Sequence, residues 1–424
     1  ALRAIRERSA ALVVCKRGPQ GCVAFPGTIP AQLDQGVVGR GFAVEIYNVL
    51  GAGDAFMAGF LRGWLRDLPL ETACEYGNAC GAIVVSRHGC APAMPTWDEL
   101  QRFLDGGARP LRLRDDAELE HLHWATTRER QYDELTVLAM DHRSQFEDLC
   151  RELKADPARI PEFKALALKA VDRVARGDPR FGVLLDGRYG MRGLEAAADT
   201  PYWIGRPIEL PGSRPLAFEG SPDVATELQT WPRHHVVKCL VLYHPDDADE
   251  LRERQLRQLL RLQDAARKTR HELLVEIIAG RHGAVAPDTV SRAMQQLYDA
   301  GMKPDWWKLE PSDDAAAWSQ VAATLAANDP LCRGVVLLGQ LTSHEALLAS
   351  FRAAASTEVV KGFAVGRSIW TEAAQRWMAG EIDDEAAIAD LAQRLGVLVE
   401  AWRAAKGRAG TSAGRVAAAT VVAR

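Results

Sequence analysis

VVKCLVLY at 236–243 and DWWKLE at 305–310 are apolar runs of strand length, each carrying a single lysine, Lys238 and Lys308. Short apolar runs of this kind form strands buried on both faces of a parallel sheet. An ammonium removed from water is costly unless it is paired, so a lysine inside such a run either reaches solvent from the strand end or has a chemical use. An amine enclosed beside a second cation gives up its proton readily and becomes a nucleophile toward a ketone.

The two runs belong to a series. LTVLAM (135–140), FGVLLD (181–186), YWIG (202–205), ELLVEII (272–278), GVVLLG (334–339) and VVKGFAV (359–365) read as further strands, with amphipathic helices such as 246–269, 288–300 and 343–355 between them. The expectation is an α/β chain whose segment 128–405 is a (β/α)8 TIM barrel. A doubly wound open sheet gives the same alternation, but the count of eight and the polar residues at strand ends favour the barrel.

Residues 1–108 form a separate α/β domain. ALVVCK and GPQGCVAF read as two strands around a turn, and FAVEIYNVL as an extended approach to a glycine turn. Helices are expected at 53–66 and 70–86, with a last one starting at Pro95 and Thr96. The charged stretch 109–127 lacks a core period and reads as a connector, and 406–424 as a flexible or loosely helical tail. The chain opens ALRAIRERSAALVV, without an initiator Met or targeting segment, and reads as starting inside something longer.

Composition narrows the function classes. A net charge of −4 offers no basic face for nucleic acid or an anionic membrane, and no apolar run reaches membrane-span length. The eight cysteines show no CxxC pair and read as reduced thiols of a cytoplasmic protein. The histidines have no metal-ligand spacing, so no metal is assigned to the barrel. Trp306 and Trp307 read as core and wall packing. Oligomeric state is not readable, and a homo-oligomer stays open.

Polar residues recur where strands end: Asp141-His142-Arg143, Asp186, Glu276, Lys308 with Glu310, and Gly366-Arg367. Strand C-termini form the active-site mouth of such a barrel, with phosphate near the loops after strands seven and eight. GFAVGRSIW (362–370) suits that role, because Gly366 admits an oxyanion to the backbone and Arg367 presents a fork of donors at a helix start. In the first domain, Gly51-Ala52-Gly53-Asp54 joins an extended segment to a helix, turning backbone N–H groups toward an anion.

Two resemblances follow. NVLGAGDAFMAGFLRG (48–63) with NACGAIVVSRHG (78–89) resembles the second signature of ribokinase-like (PfkB) sugar kinases. It implies a general base at Asp54, an anion hole at Gly51, Ala52 and Gly53, an adenine side near Asn78, and ATP with Mg as cofactors of a full-length kinase. Only the last third of such a kinase is matched. AMDHR, VLLDGRYG, VVKCLVLYHPDD, LLVEII, WWKLE and KGFAVGRSIW resemble, in order and spacing, the tagatose-bisphosphate-aldolase-like class I aldolases. The whole of 128–405 is most similar to the barrel fused to 5-dehydro-2-deoxygluconokinase in bacterial inositol catabolism.

That resemblance implies Lys308 as the Schiff-base lysine, Lys238 as its neighbouring cation, Glu276 as acid/base, Asp141 as polar anchor and Gly366-Arg367 as the phosphate loop. His142 and Asp186 join them as substrate-binding residues. His142 replaces the usual glutamine, and LLGQLT (337–342) replaces a serine-containing turn. Lys238 is expected to favour the neutral amine of Lys308 by like-charge repulsion. The implied reaction is cleavage of 5-dehydro-2-deoxygluconate 6-phosphate to dihydroxyacetone phosphate and malonate semialdehyde, without a cofactor. Two alternatives stand beside it: an ATP-dependent carbohydrate kinase with a non-catalytic barrel, and a phosphosugar-binding module.

Overall fold

In this computed structural model the structure describes residues 1–106, 110–339 and 343–421, with side chains followed to 407. The chain divides into two compact units, Ala1–Glu129 and the remainder from Arg130.

In the first unit, α1 (Leu2–Arg8) leads into an antiparallel sheet of β1 (Val13–Lys16), β2 (Cys22–Phe25) and β3 (Val37–Gly39). Three residues are too few to display a period, so β3 is not visible in the sequence. Helix α2 (Ala52–Trp64) follows Gly51, whose φ of 84° and whose would-be Cβ, 2.6 Å from Cys90 Sγ, leave no place for a side chain. Helix α3 (Leu70–Val85) packs on α2, and α4 (Trp97–Asp105) is capped by Thr96 N donating to Glu99 Oε2 at 2.7 Å.

The stretch expected as a connector is instead part of this unit. Asp116 caps α5 (Ala117–Thr126), accepting from Glu118 N at 3.1 Å and Leu119 N at 3.0 Å. Leu113 and Leu119 then bury into the cluster holding Ile83, Leu100 and Phe103. So few apolar positions on a charged helix leave little period to read.

The second unit alternates strand and helix. It runs β4 (Leu135–Met140), α6 (Ser144–Leu153), α7 (Arg159–Ala175), β5 (Phe181–Leu185), α8 (Met191–Ala197), β6 (Trp203–Pro207) and α9 (Val224–Leu228). Next come β7 (His235–Leu242), α10 (Asp249–Thr269), β8 (Leu273–Ile278), α11 (Thr289–Asp299), β9 (Trp306–Leu309) and α12 (Ala315–Asn328). It ends with β10 (Gly334–Leu338), α13 (His344–Ala354), β11 (Val360–Val365), α14 (Arg367–Met378) and α15 (Asp384–Val421). The eight strands pair in parallel and close, β11 meeting β4, so this is a (β/α)8 barrel. The tail is, as far as Val421, the continuation of α15. No described helix is long and apolar enough to cross a membrane.

Alternation along the strands stacks the interior in layers. Ala139, Leu184, Val236, Leu274, Trp306, Val336 and Ala364 share one buried interior cluster. Two residues further along four of these strands stand Asp141, Lys238, Glu276 and Lys308. The polar layer thus rests directly on an apolar one. Odd-numbered neighbours such as Val237, Val275 and Trp307 pack outward into the helix layer.

Candidate active site

Register brings the central pair together: Glu276 of β8 is the strand partner of Lys308 of β9, so the two side chains project to the same face. Lys308 Nζ lies 3.2 Å from Glu276 Oε1. Lys238 Nζ lies 2.9 Å from Asp141 Oδ2, 2.8 Å from Glu209 Oε1 and 2.9 Å from Glu276 Oε2, with its side chain 2% exposed. Its aligned hydrogen bonds go to Asp141 and Glu209. Glu276 Oε2 is the third carboxylate oxygen within reach of its donors.

The charges follow from burial and pairing. Burial alone would discharge Lys238, but Asp141, Glu209 and Glu276 raise its hold on the proton well above that of a free lysine. Burial would also raise the Asp141 and Glu276 carboxyls; Lys238 first, then Lys308, hold both below the usual carboxylate range. Both are therefore ionised at neutral pH. Burial brings His142 down to about 4 despite Asp141 beside it, so His142 is a neutral imidazole.

The charge of Lys238 is met by three carboxylates. Lys238 thus acts as the hub that holds those carboxylates together in a dry site.

These residues line a cavity of about 770 Å³ at the C-terminal end of the strands, which also takes in His142, Gly366 and Arg367. A Cβ on Gly366 would lie 2.2 Å from Ala139 O and 2.9 Å from His142 Cε1, so only glycine lets β11 turn into α14 there. The first residue of α14 is Arg367, whose Nε is buried without a hydrogen-bond partner among the described residues. The indole Nε1 of buried Trp370 is in the same condition. A helix N-terminus with orphaned donors is suited to an anion. In the loop after β10, Gly339 lines the cavity, while 340–342 of the LLGQLT segment lie outside the described residues.

Asp186 is not brought to this cavity. The chain turns directly after β5, and Asp186 accepts from Arg188 N at 3.0 Å and Tyr189 N at 2.7 Å. It pairs with Lys164, fully buried on α7, which also donates to His142 O at 2.7 Å. Asp186 therefore supports the first-strand turn from behind. Lys164 gave no signal, being one lysine on an amphipathic helix.

Glu209 is the buried residue of this cluster that sequence reasoning passed over, and Arg143, read only as a polar residue at the end of the first strand, is its partner. Glu209 follows β6 by two residues and also accepts from Arg143 Nη2 at 3.3 Å and Leu240 N at 3.2 Å. Ending that strand at Gly205 put Glu209 in a loop; following WIGRPIEL to its end would have found it.

In the first unit, a separate cavity of about 300 Å³ is lined by Phe42, Val44, Phe56 and Val85, with Ala52, Gly53 and Asn78. Asn78 Nδ2 donates to Arg40 O at 2.9 Å. Gly51 caps α2 just behind, and Lys16 Nζ would stand 3.2 Å from a Cβ on Gly53, placing an unforeseen cation at the glycine turn. Asp54 lies exposed in the first turn of α2 and is not among the cavity residues. No group of three or more His, Cys, Asp or Glu able to hold a metal ion occurs among the described residues.

Known proteins resemble each unit separately. Residues 1–97 match the pfkB family of carbohydrate kinases. The 5-dehydro-2-deoxygluconokinase of Geobacillus thermodenitrificans is 39% identical over 104 residues, 24% of this chain and 29% of that protein. The ATP-dependent ribose-1-phosphate kinase of Halopiger xanaduensis is 50% identical over 64 residues, 15% of this chain and 21% of its own length. The chain thus spans less than a third of the curated relatives it matches. Among solved structures, fructose-bisphosphate aldolase from Plasmodium falciparum superposes with a TM-score of 0.51 at 14% identity, over 69% of this chain and 95% of that one, a likeness of fold. Residues 99–406 match the DUF2090 family, described as an uncharacterized protein conserved in bacteria, and the chain belongs to that family.

Proposed function

We propose that the barrel is a Schiff-base (class I) aldolase that cleaves 5-dehydro-2-deoxygluconate 6-phosphate. The observation that carries this reading is the placement of Lys308 in the cavity, 3.2 Å from Glu276 and beside the Lys238 hub. Lys308 Nζ attacks the C5 ketone and water leaves, giving a protonated imine that draws electrons from the neighbouring bond. Glu276, ionised at neutral pH, takes the C3 hydroxyl proton as the C3–C4 bond breaks. The C3 fragment departs as malonate semialdehyde. The remaining enamine is protonated at C4 and hydrolysed, releasing dihydroxyacetone phosphate and the free lysine. Arg367 and the start of α14 hold the phosphate, and neutral His142 can hydrogen-bond a sugar hydroxyl without adding charge.

The substrate assignment rests on the first unit, whose relatives include a kinase named for 5-dehydro-2-deoxygluconate. A kinase acting on that sugar acid would supply the phosphoester that the barrel consumes. In the first unit ATP would provide the transferable phosphoryl group; Lys16 and the Gly51–Gly53 turn suit its phosphates, and Phe42, Val44 and Phe56 its base. Asp54 would accept the proton of the sugar hydroxyl. The free cysteines suit a reducing cytoplasm.

Incubation with the phosphosugar and borohydride should leave a covalent adduct on Lys308, located by peptide mass mapping. An unlabelled protein, or a label that persists in Lys308→Met, removes the proposal.

A further inference from the structure

Arg281 lines the same cavity, and no step described above employs it. It is exposed and has no hydrogen-bond or ion-pair partner among the described residues. Two other cations of the cavity are engaged: Arg143 pairs with Glu209 and Glu219, and Lys238 with three carboxylates. The loop that carries Arg281 is nonetheless fixed on both sides of it. Glu310 Oε2 accepts from Ala279 N at 2.8 Å and from Gly280 N at 3.1 Å, and His244 Nε2 donates to Ala284 O at 3.0 Å. Between these anchors His282 N donates to Ala279 O at 3.3 Å, closing a turn with Gly280 and Arg281 at its corners. A guanidinium presented to a cavity on such a turn, without a counter-ion, is suited to an anion brought in by the ligand.

Resting on the aldolase reading, we propose that Arg281 is a specificity-determining residue that binds the C1 carboxylate of the substrate, so that the site selects an aldehyde fragment ending in a carboxylate.

The order of residues around the barrel matches the order of groups along the sugar acid. Lys308 on β9 takes the C5 ketone. On one side, neighbouring β8 carries Glu276, the base assigned to the C3 hydroxyl, and its continuation carries Arg281 five residues on. The C1 carboxylate lies two bonds past C3, away from C5. On the other side, beyond β10, β11 leads into Arg367, assigned to the phosphate on C6. One anion thus falls to each arginine, with the C3–C4 bond between them. Burial weakens the hold of Arg367 on its proton, and the charge of Arg281 adds to that, so the two guanidiniums share one field. A ligand with a single anion leaves one of them unmatched, whereas a ligand charged at both ends matches both. Because the carboxylate belongs to the departing half, Arg281 acts on the aldehyde partner and not on dihydroxyacetone phosphate.

The test runs the reaction in reverse with the full chain, joining dihydroxyacetone phosphate to an aldehyde. Malonate semialdehyde is compared with propanal, which has a methyl group in place of the carboxylate. The wild type should prefer malonate semialdehyde in kcat/KM. Arg281→Met should lower that preference about tenfold and leave KM for dihydroxyacetone phosphate within about twofold. Arg281→Lys, which keeps the charge but loses the planar fork, should recover part of the preference. Three results overturn the proposal: a wild type that uses both aldehydes equally well, a preference unmoved in Arg281→Met, or a raised KM for dihydroxyacetone phosphate, which would put Arg281 on the phosphate. A wild type that joins dihydroxyacetone phosphate to neither aldehyde overturns the aldolase reading, and this assignment with it.

Discussion

Replacing Lys238 by methionine removes the hub of the buried cluster while keeping roughly its bulk. Three carboxylates stand 2.8–2.9 Å from that nitrogen, and both lysine and partners are nearly inaccessible. Removing one member of a buried ion pair costs about 3–5 kcal/mol, because the remaining charge stays buried and unmatched. For a domain of this size that corresponds to a drop in Tm of roughly 6–15 °C. The loss should depend on pH. In the wild type, Asp141 and Glu276 have folded-state carboxyls below their unfolded values, so they add stability above the unfolded range and lose it as pH falls. Without Lys238 their burial acts the other way and lifts both carboxyls above the unfolded values. Protonation then relieves the strain of burial on acidification. Calorimetry of both proteins at pH 7.5 and pH 5 should show a large Tm gap at the higher pH that narrows at the lower. An equal gap at both would mean that the cost is lost packing, and the electrostatic account of the hub would fail.

Four further outcomes are expected. Lys308→Met should reduce cleavage at least about 10⁴-fold while phosphosugar binding, followed by calorimetry, changes little, since a lost nucleophile leaves the cavity intact. Arg367→Ala should raise KM for the phosphorylated sugar roughly 10- to 100-fold with a smaller change in kcat, as expected for a charge-assisted contact, and leave the unphosphorylated sugar nearly unaffected. Gly366→Ala should lower the denaturation free energy by about 1–3 kcal/mol, because its Cβ meets Ala139 O at 2.2 Å. His142 binds its proton only near pH 4 when folded, so the unfolded chain protonates first as pH falls through about 6.5, and stability is lost between those values. Substituting Asn for His142 should flatten that part of the stability–pH curve by about 3 kcal/mol, and an unchanged slope would refute the neutral imidazole.

Much of the barrel was legible because its strands are short apolar runs separated by long amphipathic helices. The lysines announced themselves by contrast: Lys238 and Lys308 interrupt runs that are otherwise apolar. Asp186 misled for an instructive reason. It occupies the position after β5 that a strict two-residue alternation would aim inward, yet the turn rotates it onto Lys164, a partner 22 residues earlier that no local pattern reveals. Glu209 was hidden by a strand end placed too early. The charge balance of Lys238 was illegible because it depends on three carboxylates that lie in or just beyond separate strands, and only the closed sheet brings those together. In the first unit, Lys16 ends a strand by sequence and meets the glycine turn only in three dimensions.

The layer of Leu274, Trp306 and Val236 under the polar cluster leaves a route for exchange on one side only. Hydrogen ions must reach Glu276 and Lys308 through the mouth of the cavity, the same opening by which the proposed sugar would enter. Once that opening is occupied, each proton shuttled during a turnover has to come from a group already present inside or from the ligand itself. Commitment to bond cleavage would then be set by how completely the ligand seals its entrance.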